Sequence, residues 1–432
     1  MRSPRRRFPA ALALCLAAVA VGAVEPSPPS RTRVFLIGID GATWKVMLPL
    51  LRAGRLPNLM HLIVGGSSGP LLCNVSLFSP NIWTTIATGK TPRQHGIDDH
   101  TFHERPFSSR SRRVRALWNI LSDKGRTVDL VGYLVTWPAE TVRGVVVSDQ
   151  ALVPGLEEVV YPADALASYG PLPAWDFRSA ESSRRIGRFV EYPFKPGQMG
   201  NLVASPPDPR YQELISNRLA KIHLRDESWV RIAEFLLARD HPDFFAIHLW
   251  GVDSVSHGFW KFGNPKRLDV SSEERRYFGE TVAKYYEYAD EAVGRLLRFA
   301  DDDTQVFVVS DHGFKAGYEP STIDNADPNS GDHEEHGVII ARGSRIRSGG
   351  LIDQATVLDI APTLLAMFGL PVAKDMPGKI LEPLFHPEDL QHLPTRRIPT
   401  YESPSVAAPP PARGPLLPRM ERDRLRAIGY LK

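Results

Sequence analysis

Three apolar runs constrain this chain more than any other feature: "VFLIGIDG" at 34–41, "DFFAIHLWG" at 243–251 and "QVFVVSDHGF" at 305–314. Each stays apolar almost throughout instead of alternating with polar residues, the pattern of a strand covered on both faces. Helical texture lies between them, in "VMLPLLRAGRLPNLMHLI", in "DESWVRIAEFLLARD" (226–240) and in "EERRYFGETVAKYYEYADEAVGRLLRFA" (273–300). "ALWNILSDKG" (116–125) reads as a helix stopped at Gly125, "TVDLVGYLV" (127–135) and "GVIIARG" (337–343) as strands, and "DQATVLDIAPTLLAMFGL" (353–370) as a helix ending at Gly369. Strands alternating with helices predict an α/β fold, a three-layer sandwich with a mainly parallel central sheet flanked by helices. Residues 151–225, rich in Pro, Tyr, Arg and Ser, break the alternation and read as an inserted cap.

The N-terminus carries Arg2, Arg5, Arg6 and Arg7, then an apolar run from Ala10 to Ala23 ending in Val21-Gly22-Ala23. This is the layout of an export signal with a small-residue cleavage site. The run of about 14 residues falls short of the ~20 that span a bilayer. Residues 1–23 are therefore expected to be removed, leaving a periplasmic or secreted protein without a transmembrane helix, with a lipid-anchored form through Cys15 as a minor alternative. The formal charge of +3 loses four arginines with that segment and becomes −1, so charge gives no case for nucleic-acid binding. Once Cys15 is gone Cys73 stands alone, and no internal disulfide forms. Residues 24–32 read as a Pro-rich linker, 33–385 as the catalytic domain, and 386–432 as a Pro- and Arg-rich tail with a short terminal helix.

Open α/β sheets collect ligands beyond the carboxyl ends of their strands. Potential metal ligands follow three predicted strands: Asp40, then Asp253 with His257, then Asp311-His312. His333 and His336 precede a fourth. Asp253 and His257 are four apart, so one helical turn puts them on one face. Imidazole with carboxylate suits zinc, with manganese or iron as alternatives. Asp311 and His312 are neighbours, which on a strand would point oppositely; beyond the last ladder bond, with Gly313 expected to turn the backbone sharply, both can reach one ion. Ser79, before Pro80 and ahead of a helical segment, is either a helix cap or a hydroxyl presented for nucleophilic attack.

The ordered set is Ile39-Asp40-Gly41, Ser79-Pro80 with Trp83-Thr84-Thr85 and Thr88-Gly89, Pro92 with His95-Gly96-Ile97, Asp253 with His257, Ser310-Asp311-His312-Gly313, and His333 with Gly337. Over about 34–385 it resembles the alkaline phosphatase superfamily, in its branch of type I phosphodiesterases and nucleotide pyrophosphatases. "DIAPTLLAMFGLPVAKDMPGKIL" (359–381) is similar to that branch's C-terminal helix and turn.

The resemblance implies two divalent metal ions, one held by Asp253, His257 and His333, the other by Asp40, Asp311 and His312 with Ser79 beside it. It implies attack by Ser79 on a small phosphate-ester substrate, a phosphoseryl intermediate, and its hydrolysis. Where the family has Asn three residues after the nucleophile this chain has Ile82, which makes Asn81 the nearest amide for a phosphoryl oxygen. A monoesterase or phosphomutase of the same superfamily is the alternative enzyme, and a degenerate ligand-binding member the alternative without catalysis. Ser79-Pro80-Asn81 lacks the C/S-x-P-x-R context of sulfatases. His95, His248, Trp83, Trp137 and Trp250 read as core residues, and the basic stretch at 184–197 as either a contact for an anionic substrate or a solvated surface. Nothing in the sequence sets an oligomeric state.

Overall fold

The computed structural model describes residues 32–98, 107–170, 185–195, 208–264, 269–316 and 330–402. The expected export signal, most of the linker and the terminal helix lie outside them. Among the described residues no helix is long and apolar enough to cross a membrane.

The three apolar runs form the middle of a ten-stranded sheet. β1 (Arg33–Ile39) lies between β6 (Phe244–Leu249) and β7 (Thr304–Val309), parallel to both. β3 (Val128–Val131) and β4 (Gly144–Val147) extend the parallel block beyond β6, and β5 (Val160–Tyr161) closes that edge antiparallel. On the other side β10 (His336–Arg342) runs antiparallel to β7 and to β2 (Ser67–Leu72), and β11 (Gly350–Leu351) and β12 (Ala355–Thr356) run parallel to β2. The result is a mainly parallel sheet in an α/β sandwich, as the alternation of strands and helices predicts.

Strand alternation sorts the central side chains into two cores. Phe35, Ile37, Phe245, Ile247, Val306 and Val308 face one layer of helices. Val34, Leu36, Phe244, Ala246, Phe307 and Val309 face the other. The first layer contains α1 (Trp44–Arg52), α2 (Pro57–Val64), α6 (Lys221–Asp240), α7 (Gly251–Gly263) and α9 (Thr281–Leu297), the second α3 (Ser79–Thr88), α5 (Leu117–Asp123) and α10 (Ile360–Met367). α4 (Pro92–His95) is a single turn behind α3, and α8 (Ser272–Phe278) precedes α9.

Two predicted helices differ in the structure. The span 273–300 is two helices, α8 and α9, with Gly279 at the C-terminal cap of the first. The span 353–370 opens with β12 and a 3₁₀ turn, Val357–Asp359, before α10 begins. There Pro362 lies in the first turn of α10, where its missing N–H costs little.

The described parts of 151–225 supply β5 at the sheet edge and an aromatic group, Phe189, Tyr192 and Tyr211, packed on α8 and α9. Toward the C-terminus the folded body continues past the predicted boundary at 385. β14 (Arg397–Ile398) pairs with β13 (Val372–Ala373), and Glu402 takes the ammonium of the buried Lys90 at 2.9 Å, beside Asp375 at 2.7 Å. A two-residue strand and a long-range partner for a buried lysine leave no periodic trace in a Pro-rich stretch.

Candidate active site

The site lies at the carboxyl ends of β1, β6 and β7. Asp40 follows β1 directly and Asp311-His312 follow β7 by one residue, at 1%, 0% and 0% exposure. α7 begins just beyond β6 and carries Asp253 and His257 on one face, with Asp253 Oδ1 3.4 Å from His257 Nε2. His333 comes from β9 (Gly331–Glu334), which pairs with β8 (Gly313–Ala316) as a separate hairpin, His333 opposite Phe314. His333 Nε2 lies 3.1 Å from Asp253 Oδ1 and 2.9 Å from His257 Nε2. His336 opens β10 and is exposed.

His312 stands between two groups. Its Nε2 is 3.4 Å from Asp40 Oδ1, 3.5 Å from Asp311 Oδ2 and 3.9 Å from Asp253 Oδ1. Ser79 is the first residue inside α3 rather than its cap; Phe78 takes the cap position, and no side-chain cap bond forms there. The Ser79 hydroxyl instead donates to Asp40 Oδ1 at 3.4 Å and lies 3.3 Å from His312 Nε2. Asn81 is fully buried; its Oδ1 accepts from Thr85 Oγ1 at 3.5 Å, and its Nδ2 has no hydrogen-bond partner among the described residues.

The donor set fits divalent cations. Each of the three imidazoles engages a backbone carbonyl through Nδ1: His312 with Gly313 at 3.0 Å, His257 with Gly331 at 3.1 Å, His333 with Leu77 at 3.3 Å. An Nδ1–H donated to a carbonyl leaves the lone pair on Nε2, the tautomer that metal-binding histidines adopt. All three Nε2 atoms turn into the site, and two of them face each other at 2.9 Å, a repulsive contact for lone pairs unless a positive charge lies between. Two overlapping groups of three have mutually close ligand atoms: Asp253, His312 and His333, and Asp40, Asp311 and His312.

The electrostatics agree. Burial, reinforced by the charge of Asp40, pushes the Asp311 carboxyl well above its ordinary range, and its Oδ2 has no hydrogen-bond partner among the described residues. Burial alone would raise Asp253 too, but the imidazoles of His257 and His333 outweigh it and hold it well below. Burial disfavours charge on His312, yet Asp311 and Asp40 raise it to about 10. In the protein alone the cluster is thus short of positive charge, and His312 supplies part of it.

Gly313 is expected to turn the backbone sharply, but it does not do so through a left-handed conformation, since its φ is not positive. It is required because the backbone of β10 passes close by: a Cβ there would lie 2.2 Å from the His336 carbonyl oxygen. The bend after β7 is held instead by Ser310, whose hydroxyl donates to the His312 carbonyl at 2.8 Å and accepts from Ala42 N–H at 2.8 Å.

His248 and Trp83 are buried core residues, and both also hold Asp40. His248 Nε2 lies 2.9 Å and Trp83 Nε1 3.0 Å from Asp40 Oδ2. A signal for them was present in the sequence: Gly38, inside an otherwise apolar strand, marks a close approach. It pairs with His248, and a Cβ there would strike the Trp83 ring at 2.5 Å. His95 is structural: Nδ1 accepts from Ile97 N–H at 3.1 Å, Nε2 meets Thr85 Oγ1 at 3.1 Å, and burial lowers its pKa to about 3. Cys73 is buried, its thiol pushed up to about 12 by desolvation. Of the basic stretch at 184–197, Arg185 and Arg188 pair with Glu227 and Glu291 and line a cavity of about 420 Å³ that contains none of the Asp/His cluster.

The family described as type I phosphodiesterase/nucleotide pyrophosphatase matches residues 34–358, and the chain belongs to that family. It is accordingly a hydrolase of phosphoric ester bonds. No curated protein matches significantly. Among solved structures, a mutant of alkaline phosphatase PafA aligns at 11% identity and TM-score 0.51, over 84% of this chain and 100% of that one, a likeness of fold. Murine ectonucleotide pyrophosphatase/phosphodiesterase 5, an inactive form in complex with AMP, aligns at 11% identity and TM-score 0.48, over 84% and 99%. BT4656, in complex with its substrate D-glucosamine-2-N,6-O-disulfate, aligns at 17% identity and TM-score 0.45, over 83% and 81%.

Proposed function

We propose that this hydrolase is an exported phosphodiesterase, with a catalytic domain that runs from 33 past the expected boundary at 385 to at least Glu402, and that Ser79 is its nucleophile. In this reading Asp253, His257 and His333 hold one divalent cation, and Asp40, Asp311 and His312 hold a second. Placing His312 with the second group rests on its shorter distances to Asp40 and Asp311 than to Asp253. The nitrogen-and-oxygen donor set favours zinc. When bound, such cations lower the pKa of the hydroxyl and draw charge from the phosphoryl oxygens.

The chain's own residues supply the remainder. Asp40 Oδ1, accepting from Ser79, fixes the direction of the hydroxyl hydrogen and leaves the lone pairs of Oγ free for attack. Oγ gives up its proton and bonds to phosphorus as the bond to the leaving oxygen breaks, the leaving alcohol departing with a proton. Water then cleaves the phosphoserine, releasing the phosphate monoester and returning a proton to Ser79 Oγ. Asn81, with an unpartnered Nδ2 in the first turn of α3, is the side-chain donor proposed for a non-bridging oxygen.

The observation that carries the proposal is the Ser79 hydroxyl, 3.3 and 3.4 Å from ligand atoms of His312 and Asp40. Ser79→Ala should lower turnover on the order of 10⁴-fold or more, with the metal content of the purified protein unchanged. Wild-type turnover in that variant would remove Ser79 from the mechanism. Rates on bis-p-nitrophenyl phosphate, p-nitrophenyl phosphate and a nucleotide p-nitrophenyl ester, measured side by side, separate diesterase from monoesterase and pyrophosphatase. Cell fractionation with N-terminal sequencing tests export.

A further inference from the structure

α7 carries two of the ligands, Asp253 and His257, and its start has no cap of its own. The cap position is Trp250, which has no oxygen to accept a backbone N–H, and no side-chain cap bond forms from it. A helix start leaves orphan N–H groups that must be satisfied by some partner. Here the partner is Asp226, from the neighbouring helix α6. Its Oδ1 accepts from Trp250 N–H at 3.1 Å and its Oδ2 from Gly251 N–H at 3.0 Å. Tyr285, from α9, donates its hydroxyl to the same Oδ2 at 3.0 Å. Asp226 is 1% exposed and Tyr285 fully buried.

The packing around this carboxylate leaves little room for movement. A Cβ at Gly251 would lie 2.0 Å from the Tyr285 hydroxyl, so the tyrosine rests directly on the helix start. The Arg225 guanidinium stacks 3.5 Å from the centre of the Trp250 ring, and its Nη2 donates to the Asp149 carbonyl at 3.2 Å. Asp253 follows Gly251 by two residues. A shift of the first turn would therefore be passed to Asp253 Oδ1 and, one turn on, to His257 Nε2.

Resting on the metal reading above, we propose that Asp226 is a positioning residue of the active site. It caps α7 from a neighbouring helix and so fixes Asp253 and His257 opposite His333, and Tyr285 orients the capping carboxylate. An asparagine in its place keeps one acceptor oxygen but turns an NH₂ donor toward a backbone N–H, so one of the two capping bonds is lost.

The test is divalent-metal affinity, read by chelator competition with zinc and by the absorption spectrum of the cobalt-substituted full-length protein. His257→Ala identifies which of the two equivalents belongs to α7. Asp226→Asn should weaken that equivalent about 10–100-fold, the range for residues that orient metal ligands. The other equivalent should hold, and the melting temperature of the metal-free protein should fall only by the modest amount that one lost capping bond brings. Unchanged affinity for both equivalents would overturn the proposal, as would equal weakening of both together with a larger fall in the metal-free melting temperature. If Asp226→Asn does not fold, Tyr285→Phe decides: a several-fold loss at the same equivalent supports the proposal, and no loss overturns it. Wild-type protein that takes up no divalent ion would sink the metal reading first, a failure visible before any variant is made.

Discussion

Two of the charge clusters among the described residues are built on opposite principles. Around Glu227, the guanidinium groups of Arg185, Arg231 and Arg295 lie at 2.8–2.9 Å, and Arg295 and Arg298 continue to Glu234. Every carboxylate there has cations from the chain itself. At the ends of β1, β6 and β7, three buried carboxylates have no arginine or lysine paired with them among the described residues. The basic side chains beside them are imidazoles, two of which turn lone pairs toward each other. The first cluster is complete as folded and ties the inserted segment to α6 and α9. The second is short of positive charge, and in the proposed reading divalent cations complete it. Buried charge that the fold neutralises is structural, whereas buried charge that it leaves short points to a ligand.

Chelation should separate the two clusters most sharply. Removing divalent ions is expected to abolish turnover and lower the melting temperature, because an ion at about 1,000 times its Kd stabilises by about 4 kcal/mol. A melting curve indifferent to chelator and to added zinc would erase the distinction.

Glu227→Gln attacks the self-neutralised cluster instead. Breaking a buried ion pair costs about 3 kcal/mol, and urea denaturation should show that loss while metal content stays unchanged. Its pH dependence has a definite sign. Burial alone would raise the Glu227 carboxyl, but Arg231, Arg295 and Arg185 outweigh it and bring it from 4.5 to about 2. The unfolded chain therefore takes up this proton first as pH falls, so the stabilisation is whole above pH 4.5 and disappears toward pH 2. The variant should lack that part of the acid limb; an identical acid limb would show that the arginines do not act through Glu227.

Trp83→Phe, which removes one donor to Asp40, should weaken metal retention or turnover about 10-fold and, by shrinking a fully buried ring, cost on the order of 1–3 kcal/mol of stability. Smallest of all, Arg188→Ala breaks a pair with Glu291 at the exposed margin of the arginine cluster and should cost less than about 1 kcal/mol. A larger loss would mean that the margin is as tightly coupled as the centre.

Legibility followed the range of the interaction. The covered strands, most helices and the end of the sheet that carries the site were readable, because burial on both faces and helical periodicity are written in consecutive residues. Asp253 with His257 was readable for the same reason, being one helical turn apart. Helix breaks at Gly279 and before α10 were less so, since an apolar period continues through both. Gly313 was correctly singled out but for another reason, because the crowding strand β10 begins more than twenty residues later.

The sequence by itself determined that parallel strands would end in carboxylates and imidazoles, with one serine ahead of a helix in the same order as a known family. Only the tertiary structure decided which atoms meet. His248 reaches Asp40 across 208 positions of sequence, the Ser310 hydroxyl receives Ala42 N–H across 268, and Asp226 caps a helix that begins 25 residues away. Those roles depend on two segments being brought within 3 Å by packing around them, and no local pattern records that distance.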